Sequence, residues 1–402
     1  MIENKAVKGL LEHWVENRQI SGAVVKIEKA GKIVCDAQYG FADIERGIRM
    51  DRNSIFRLAS MTKPVVAIAA MLLAEEGKLD IEAPIEKYLP EFSALKAADR
   101  AIGFEEFYQA DPDNPMMAKM NVELLENIGE TRLKRSVTTR DILSHSSGMG
   151  QGPFSISRMN PMLKSGQSLK DRVAIFSKMP LDFQPGEHTG YSAGTAFDVL
   201  GRIIEVISGK NLNDYVVENI CRPLGIHDMG FEMSEEQKGR IVKLYEAMDG
   251  RLKDVSDTEE CWKQISPVEC SCYSGSAGML GTMEDYAKIA RMLLQNGRVD
   301  GVPFLSRETV EKMSHEASVK HMEMQPGTVW GMGMEVVQNP ELARRKVGKG
   351  TFGWSGAYGT HFYVDVENQL TVVLGVNCSN IGGADSKLSR LLEEVVYQEF
   401  SN

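Results

Sequence analysis

The stretch FRLASMTKPVVAIAAMLLAEEG (56–77) constrains the fold of this 402-residue chain more than any other. Proline is tolerated only in the first turn of a helix, because further in its ring clashes with an earlier carbonyl and a hydrogen bond is lost. Pro64 therefore places a helix start close to Ser60, and Gly77 supplies the C-terminal stop. Nearly every residue between them is apolar, which predicts a central helix buried on all sides.

The start of that helix also has chemical meaning. First-turn amides have no intrahelical acceptor, so the N–H of Ser60 is free to meet an oxyanion. Residues three apart share a helix face, so the Lys63 amine can reach the Ser60 hydroxyl as a general base must. An ordinary capping serine beside a lysine with its head in water fits this stretch equally well when it is taken alone.

A second serine competes. GYSAG (190–194) fits G-x-S-x-G, the pattern of a nucleophile elbow, and would make Ser192 the attacking residue. An elbow needs a strand entering the serine and a helix leaving it. A helix from about Thr195 is plausible, but DFQPGEHTG (182–190) carries Pro185, Gly186 and Gly190 and no β-rich run. The elbow reading fails on that point, and Tyr191 becomes the residue of interest.

Two β-rich runs in SGAVVKIEKAGKIVCDAQYG (21–40) flank a hairpin turn at Lys29–Lys32. VWGMGMEVV (329–337) and THFYVDVENQLTVVLGVN (360–377) repeat that style near the other end, and an amphipathic helix follows over about 384–399. The expected fold class is α+β: an antiparallel sheet flanked by terminal helices on one face, plus an inserted mainly helical lobe. The sheet lobe takes residues 1–79 and 275–402, the helical lobe 80–274, with the active site between them. Within the insert, ADPDNPMMAKM (110–120) reads as an exposed loop rather than a lid.

Composition removes several classes of function. The formal net charge is −10, and no basic run interleaves with aromatics, so nucleic acid is not an expected partner. No leader-like start and no apolar run of about 18 residues is seen, so neither a membrane span nor export is expected, and a cytoplasmic location follows. Cys35, Cys221, Cys261, Cys270, Cys272 and Cys378 show no metal-site spacing and read as reduced thiols. No metal and no cofactor are expected. GKGTFG (348–353) fits a dinucleotide fingerprint, but a strand-like run follows it where a helix is required.

SMTK (60–63), YSA (191–193) and WSG (354–356) occur in an order and spacing that resemble the serine β-lactamase and penicillin-binding-protein superfamily. The resemblance is specifically to class C β-lactamases and their relatives, the family VIII carboxylesterases. TTRDILSHSSGMG (138–150) and SAGMLGTMEDYAKIARMLLQNG (276–297) are similar to further stretches of that family. The resemblance implies that Ser60 forms an acyl-enzyme while Lys63 and Tyr191 share the proton. It also implies an oxyanion hole from the amides of Ser60 and Ala357, and substrate contacts from Trp354, Ser355, Gly356 and Ala193.

Two departures bear on the substrate. Trp354 stands where β-lactamases carry a lysine for the substrate carboxylate, and an indole offers one N–H and an apolar face. Ala193 stands where an asparagine amide would hold a lactam or peptide. Both point from lactams toward small-molecule carboxylic esters, with a class C-type β-lactamase, a D-alanyl carboxypeptidase or a transesterase as alternatives on the same residues. Lys346 and Lys349 could replace the missing cation. His361 is expected in the core, and His145 and Asp141 are expected to hold a turn and a helix start.

Overall fold

The computed structural model describes residues 4–102, 104–111, 114–257, 272–318 and 320–401. Helix α1 (Lys5–Glu16) starts at Asn4, whose side chain accepts from the amides of Ala6 and Val7 at 2.9 and 3.0 Å. Strands β1 (Gly22–Lys29) and β2 (Lys32–Asp43) follow as a hairpin. Its two central residues, Ala30 and Gly31, have φ of 49° and 76°. Two successive left-handed residues give the turn whose twist matches the flanking strands, and glycine accepts that backbone without strain.

A short edge strand, β3 (Ile48–Arg49), completes this end of the sheet. The distant end of the chain adds β4 (Glu323–Gln325), β5 (Thr328–Trp330), β6 (Glu335–Val337), β7 (Thr351–Ser355), β8 (His361–Asp365) and β9 (Leu370–Gly375). The strand order is β4-β5-β6-β7-β8-β9-β1-β2-β3, with antiparallel neighbours throughout.

Side chains of a strand alternate between faces, and here each face has its own core. Val25 and Ile27 of β1, Tyr363 of β8, and Val372 and Leu374 of β9 join Val7, Leu11 and Trp14 of α1. Leu388, Leu392 and Val396 of the last helix, α5 (Lys387–Phe400), close that layer. The terminal helices thus share one face, as expected. Val24, Phe362, Val364 and Val373 point the other way, into the larger core. That core contains α2 (Thr62–Glu75), α3 (Ala196–Ser208) and α4 (Met283–Leu294).

Helix α2 is enclosed as its composition requires, with Thr62 through Met71 all buried. Each large apolar side chain so placed contributes about 1.5–3 kcal/mol, which fixes the helix start in space. Pro64 sits in the first turn, and a short 3₁₀ turn at Ala59–Met61 precedes it.

The run 329–337 forms two paired strands, β5 and β6, with a tight turn closing between Gly331 N–H and the Met334 carbonyl at 2.8 Å. One reading is corrected: the stretch read as a loop contains paired strands among its described residues. Tyr108–Asp111 pairs with Asn114–Met120, and Lys96–Ala98 pairs with Glu130–Arg132. The strand Asn114–Met120 has no alternating apolar pattern, so its backbone pairing is invisible to periodicity.

Candidate active site

The nucleophile candidate lies where a short strand, Phe56–Arg57, meets the 3₁₀ turn before α2. Ala59, just ahead of Ser60, has φ 46°, a region costly for a residue with a Cβ. Its nearly complete burial, at 2% exposure, holds it there. The strained step turns the Ser60 side chain out of the helix mouth, and Tyr191 Oη donates to Ser60 Oγ at 2.6 Å.

Lys63 is wholly buried one turn further in. Its Nζ donates to the carbonyls of Ala193 and Ser276, both at 2.9 Å. Those two bonds leave one tetrahedral position of the nitrogen, and it faces Ser60 Oγ at 3.4 Å. The same nitrogen lies 4.8 Å from the centroid of the Tyr191 ring. Ala193 therefore serves this centre through its carbonyl, a role the sequence reading did not give it.

Asp198, in the first turn of α3, anchors the second of those carbonyls. Its Oδ1 accepts from Ser276 N at 2.9 Å and from Ser274 Oγ at 2.7 Å, and Arg172 Nε lies 3.7 Å from Oδ2. Sequence reasoning passed over this residue. The available signal was a carboxylate in the apolar start of the helix, AFDVL, since a buried charge requires partners.

The loop carrying Tyr191 is shaped by His145, which is wholly buried with φ 51°. The His145 carbonyl accepts from Gly190 N and Thr189 Oγ1, each at 3.1 Å. Its Nδ1 accepts from Ser192 N at 3.2 Å. A backbone N–H can only donate, so the ring proton belongs on Nε2. Burial first, and then the nearby Lys63 charge, lower the His145 pKa well below its ordinary value, in keeping with that acceptor role. The structural part expected of Asp141 is also present. It forms a capping box with Thr138 and a two-pronged ion pair with Arg135 at 2.6 and 2.7 Å.

Ser192 is fully buried. Its Oγ donates to the Met149 carbonyl at 2.7 Å and accepts from Ala196 N at 3.0 Å, so the hydroxyl is used in tying α3 down. The residues 182–190 before it include no strand. The elbow geometry is absent.

Strand β7 forms the opposite wall. A Cβ on Gly356 would lie 2.3 Å from the Leu58 carbonyl and 2.1 Å from Thr360 Oγ1. Gly356 thus brings the end of β7 against the backbone leading into Ser60. Among the described residues, neither Ser60 N nor Ala357 N donates to a protein acceptor. The one donor of Trp354 is turned onto the phenol, with Nε1 3.3 Å from Tyr191 Oη.

A cavity of about 450 Å³ opens here, lined among others by Ser60, Tyr191, Trp330, Trp354, Ser355 and Asp385. Trp330 packs edge-on against Trp354 at 4.7 Å and nearly parallel to Tyr191 at 5.8 Å. Among the described lining residues there is no lysine or arginine, and Asp385 is acidic. Lys346 and Lys349 are exposed and do not line the cavity. The basic residue just before them, Arg345, is the one that turns inward, and it pairs with Glu335 and Glu393. His361 is buried as expected, yet its ring meets Ser355 of the cavity wall at 2.7 Å. Trp330 and Asp385 were missed by the sequence reading, because neither lies in a motif.

GKGTFG runs into β7, not into a helix, and Gly348 N donates to Asp365 at 2.7 Å. Among the described residues no group of histidine, cysteine and carboxylate side chains could hold a metal ion. Cys35, Cys221, Cys272 and Cys378 are buried thiols, while Cys261 and Cys270 lie outside the described residues. Among the described residues no helix is long and apolar enough to cross a membrane.

The family model described as Beta-lactamase matches residues 7–396. Protein Rv1367c of Mycobacterium tuberculosis is 32% identical over 371 residues, spanning 88% of this chain and 85% of the relative. Esterase EstB of Burkholderia gladioli is 28% identical, spanning 96% of this chain and 93% of the relative. Among solved structures, EstCE1, a hydrolase with promiscuous acyltransferase activity, superposes with a TM-score of 0.78 at 24% identity, covering 98% of each chain.

Proposed function

The chain belongs to the beta-lactamase family, as a serine hydrolase with esterase and acyltransferase relatives, and on that premise we propose that it cleaves carboxylic esters through an acyl-enzyme on Ser60. The observation that carries this reading is the pair of contacts to Ser60 Oγ, 2.6 Å from Tyr191 and 3.4 Å from Lys63.

In this mechanism the form that acts has lost the Tyr191 phenol proton, and Tyr191 then takes the Ser60 proton while Oγ attacks the ester carbonyl. Lys63 supplies the fixed positive charge beside it, and Trp354 Nε1–H donates to the same phenol oxygen. The carbonyl oxygen, now an oxyanion, accepts from the amides of Ser60 and Ala357. Collapse expels the alcohol oxygen, which takes the proton back from Tyr191. Water then repeats the sequence on the acyl-enzyme, releasing a carboxylic acid and restoring Ser60. An alcohol in place of water would give transesterification on the same residues.

The cavity wall supports an ester over a lactam. A β-lactam or peptide carboxylate would meet Asp385 and find no lysine or arginine among the described lining residues. The division into a sheet lobe (1–79 and 275–402) and an inserted lobe (80–274) belongs to the same proposal, with Ser60 and β7 contributed by one and Tyr191 by the other.

The experiment is a panel of p-nitrophenyl acyl esters beside a chromogenic cephalosporin, run on wild type and Ser60→Ala. Ester cleavage that exceeds cephalosporin opening and disappears in Ser60→Ala is the expected result. Faster cephalosporin opening would assign the protein to the lactam reading instead.

A further inference from the structure

One wall of the cleft has a polarity of its own. Ser355 on β7 faces His361 on β8 across the ladder, and Ser355 Oγ lies 2.7 Å from His361 Nδ1. On the far side of the ring, Nε2 lies 3.5 Å from Glu393 Oε1. Glu393 is 1% exposed and held by Arg345, whose Nε donates at 2.8 Å, with Arg390 Nη1 at 3.3 Å. Arg345 also pairs with Glu335, and Arg390 with Asp385. The cluster is therefore a set of alternating charges with one imidazole at its edge, whose Nε2 faces Glu393 without a hydrogen bond of its own.

The direction of the Ser355–His361 bond follows from that cluster. A carboxylate can only accept, so the proton of a neutral imidazole belongs on Nε2, the nitrogen facing Glu393. Nδ1 is then bare and accepts the Ser355 proton. A hydroxyl has one proton and two lone pairs. With the proton turned inward, Ser355 offers the cavity only acceptor capacity. Asp385 lines the same cavity and is also an acceptor.

Resting on the ester-cleaving reading above, we propose that Ser355 and Asp385 form a hydrogen-bond-accepting wall that takes an uncharged, hydroxyl-bearing alcohol portion of the substrate and turns away a carboxylate. His361 is a positioning residue in this arrangement, acting through Ser355. The ligand class is thus an ester of a diol or polyol, or a polyol as acyl acceptor.

The test compares three butyrate esters that differ only in the alcohol: ethyl, 2-hydroxyethyl and carboxymethyl. In wild type the hydroxyethyl ester should have a KM about five- to tenfold below the ethyl ester, the worth of one added hydrogen bond. The two kcat values should be similar, and the carboxymethyl ester should bind worst. Ser355→Ala should bring the hydroxyethyl-to-ethyl KM ratio to about one. His361→Phe, which releases the Ser355 proton, should do the same and relax rejection of the carboxymethyl ester. His361→Gln keeps an acceptor oxygen and should restore the preference.

A wild-type KM ratio of one, or a preference for the carboxymethyl ester, overturns the proposal without needing any variant to fold. A ratio unchanged in His361→Phe overturns the positioning role. If p-nitrophenyl butyrate fails to acylate Ser60, the ester-cleaving reading falls. Acylation without a hydroxyl preference defeats this inference alone.

Discussion

Tyr191 Oη lies 2.6 Å from Ser60 Oγ across a sequence separation of 131 residues. A phenol so placed is the nearest side-chain group to the nucleophile, and it carries the proton in the proposed cycle. Tyr191→Phe removes only that oxygen. It should lower kcat for p-nitrophenyl butyrate by about 10²–10⁴, the usual worth of general acid–base catalysis, with KM little changed. Steady-state kinetics check this, and a loss below threefold would contradict it.

Trp354 makes its own prediction, because its indole N–H reaches the same phenol oxygen at 3.3 Å. Trp354→Phe keeps an aromatic ring and deletes the donor. One neutral hydrogen bond is worth about 0.5–1.5 kcal/mol, so kcat should fall about three- to tenfold. A rise in KM at constant kcat would mean that Trp354 acts on the substrate instead.

Asp198 is wholly buried and ties Ser276, whose carbonyl holds Lys63. Asp198→Ala strands the Arg172 guanidinium, itself only 4% exposed. Breaking a buried charged partnership costs about 3–5 kcal/mol. Urea unfolding should show a loss of that order, together with a reduced kcat as Lys63 gains freedom. Unchanged kcat in the folded variant would separate the two roles.

Acid sensitivity should trace partly to Glu393. Burial alone would raise its carboxyl, but Arg345, with help from His361, outweighs burial and holds it at about 2. An unfolded glutamate titrates near ~4.3. The folded value is the lower one, so the stabilisation is present above about pH 4.3 and is lost as pH falls through about 2. The difference corresponds to about 3 kcal/mol. Urea unfolding at several pH values should therefore show a shallower acid slope in Glu393→Gln than in wild type. That variant should also be less stable at neutral pH, because Arg345 loses a partner. Parallel slopes would contradict the assignment.

The two cores were readable from periodicity, because Val24 and Val25, or Phe362 and Tyr363, alternate as a two-sided sheet must. The helix mouth was readable from one proline. Identification of YSA and WSG needed a family resemblance, because short triplets carry no periodic signal. What stayed hidden arises from tertiary contact alone: the use of the Ala193 carbonyl, the Trp354 N–H turned onto Tyr191, and Asp385 on the cavity wall. Gly356 illustrates the limit. The resemblance implied a substrate contact there, while the approach of the Leu58 backbone shows only in the fold.

Ser192→Ala separates the two serines by a second route. Its hydroxyl makes two hydrogen bonds in a buried site, so the variant should lose about 1–3 kcal/mol of stability and still label at residue 60.

The most direct measurement is intact-protein mass after a fluorophosphonate probe, followed by peptide mapping, on wild type, Ser60→Ala and Tyr191→Phe. The account predicts one adduct, on Ser60, absent from Ser60→Ala and formed far more slowly in Tyr191→Phe. An adduct on Ser192, or ester turnover that survives in Ser60→Ala, would contradict it.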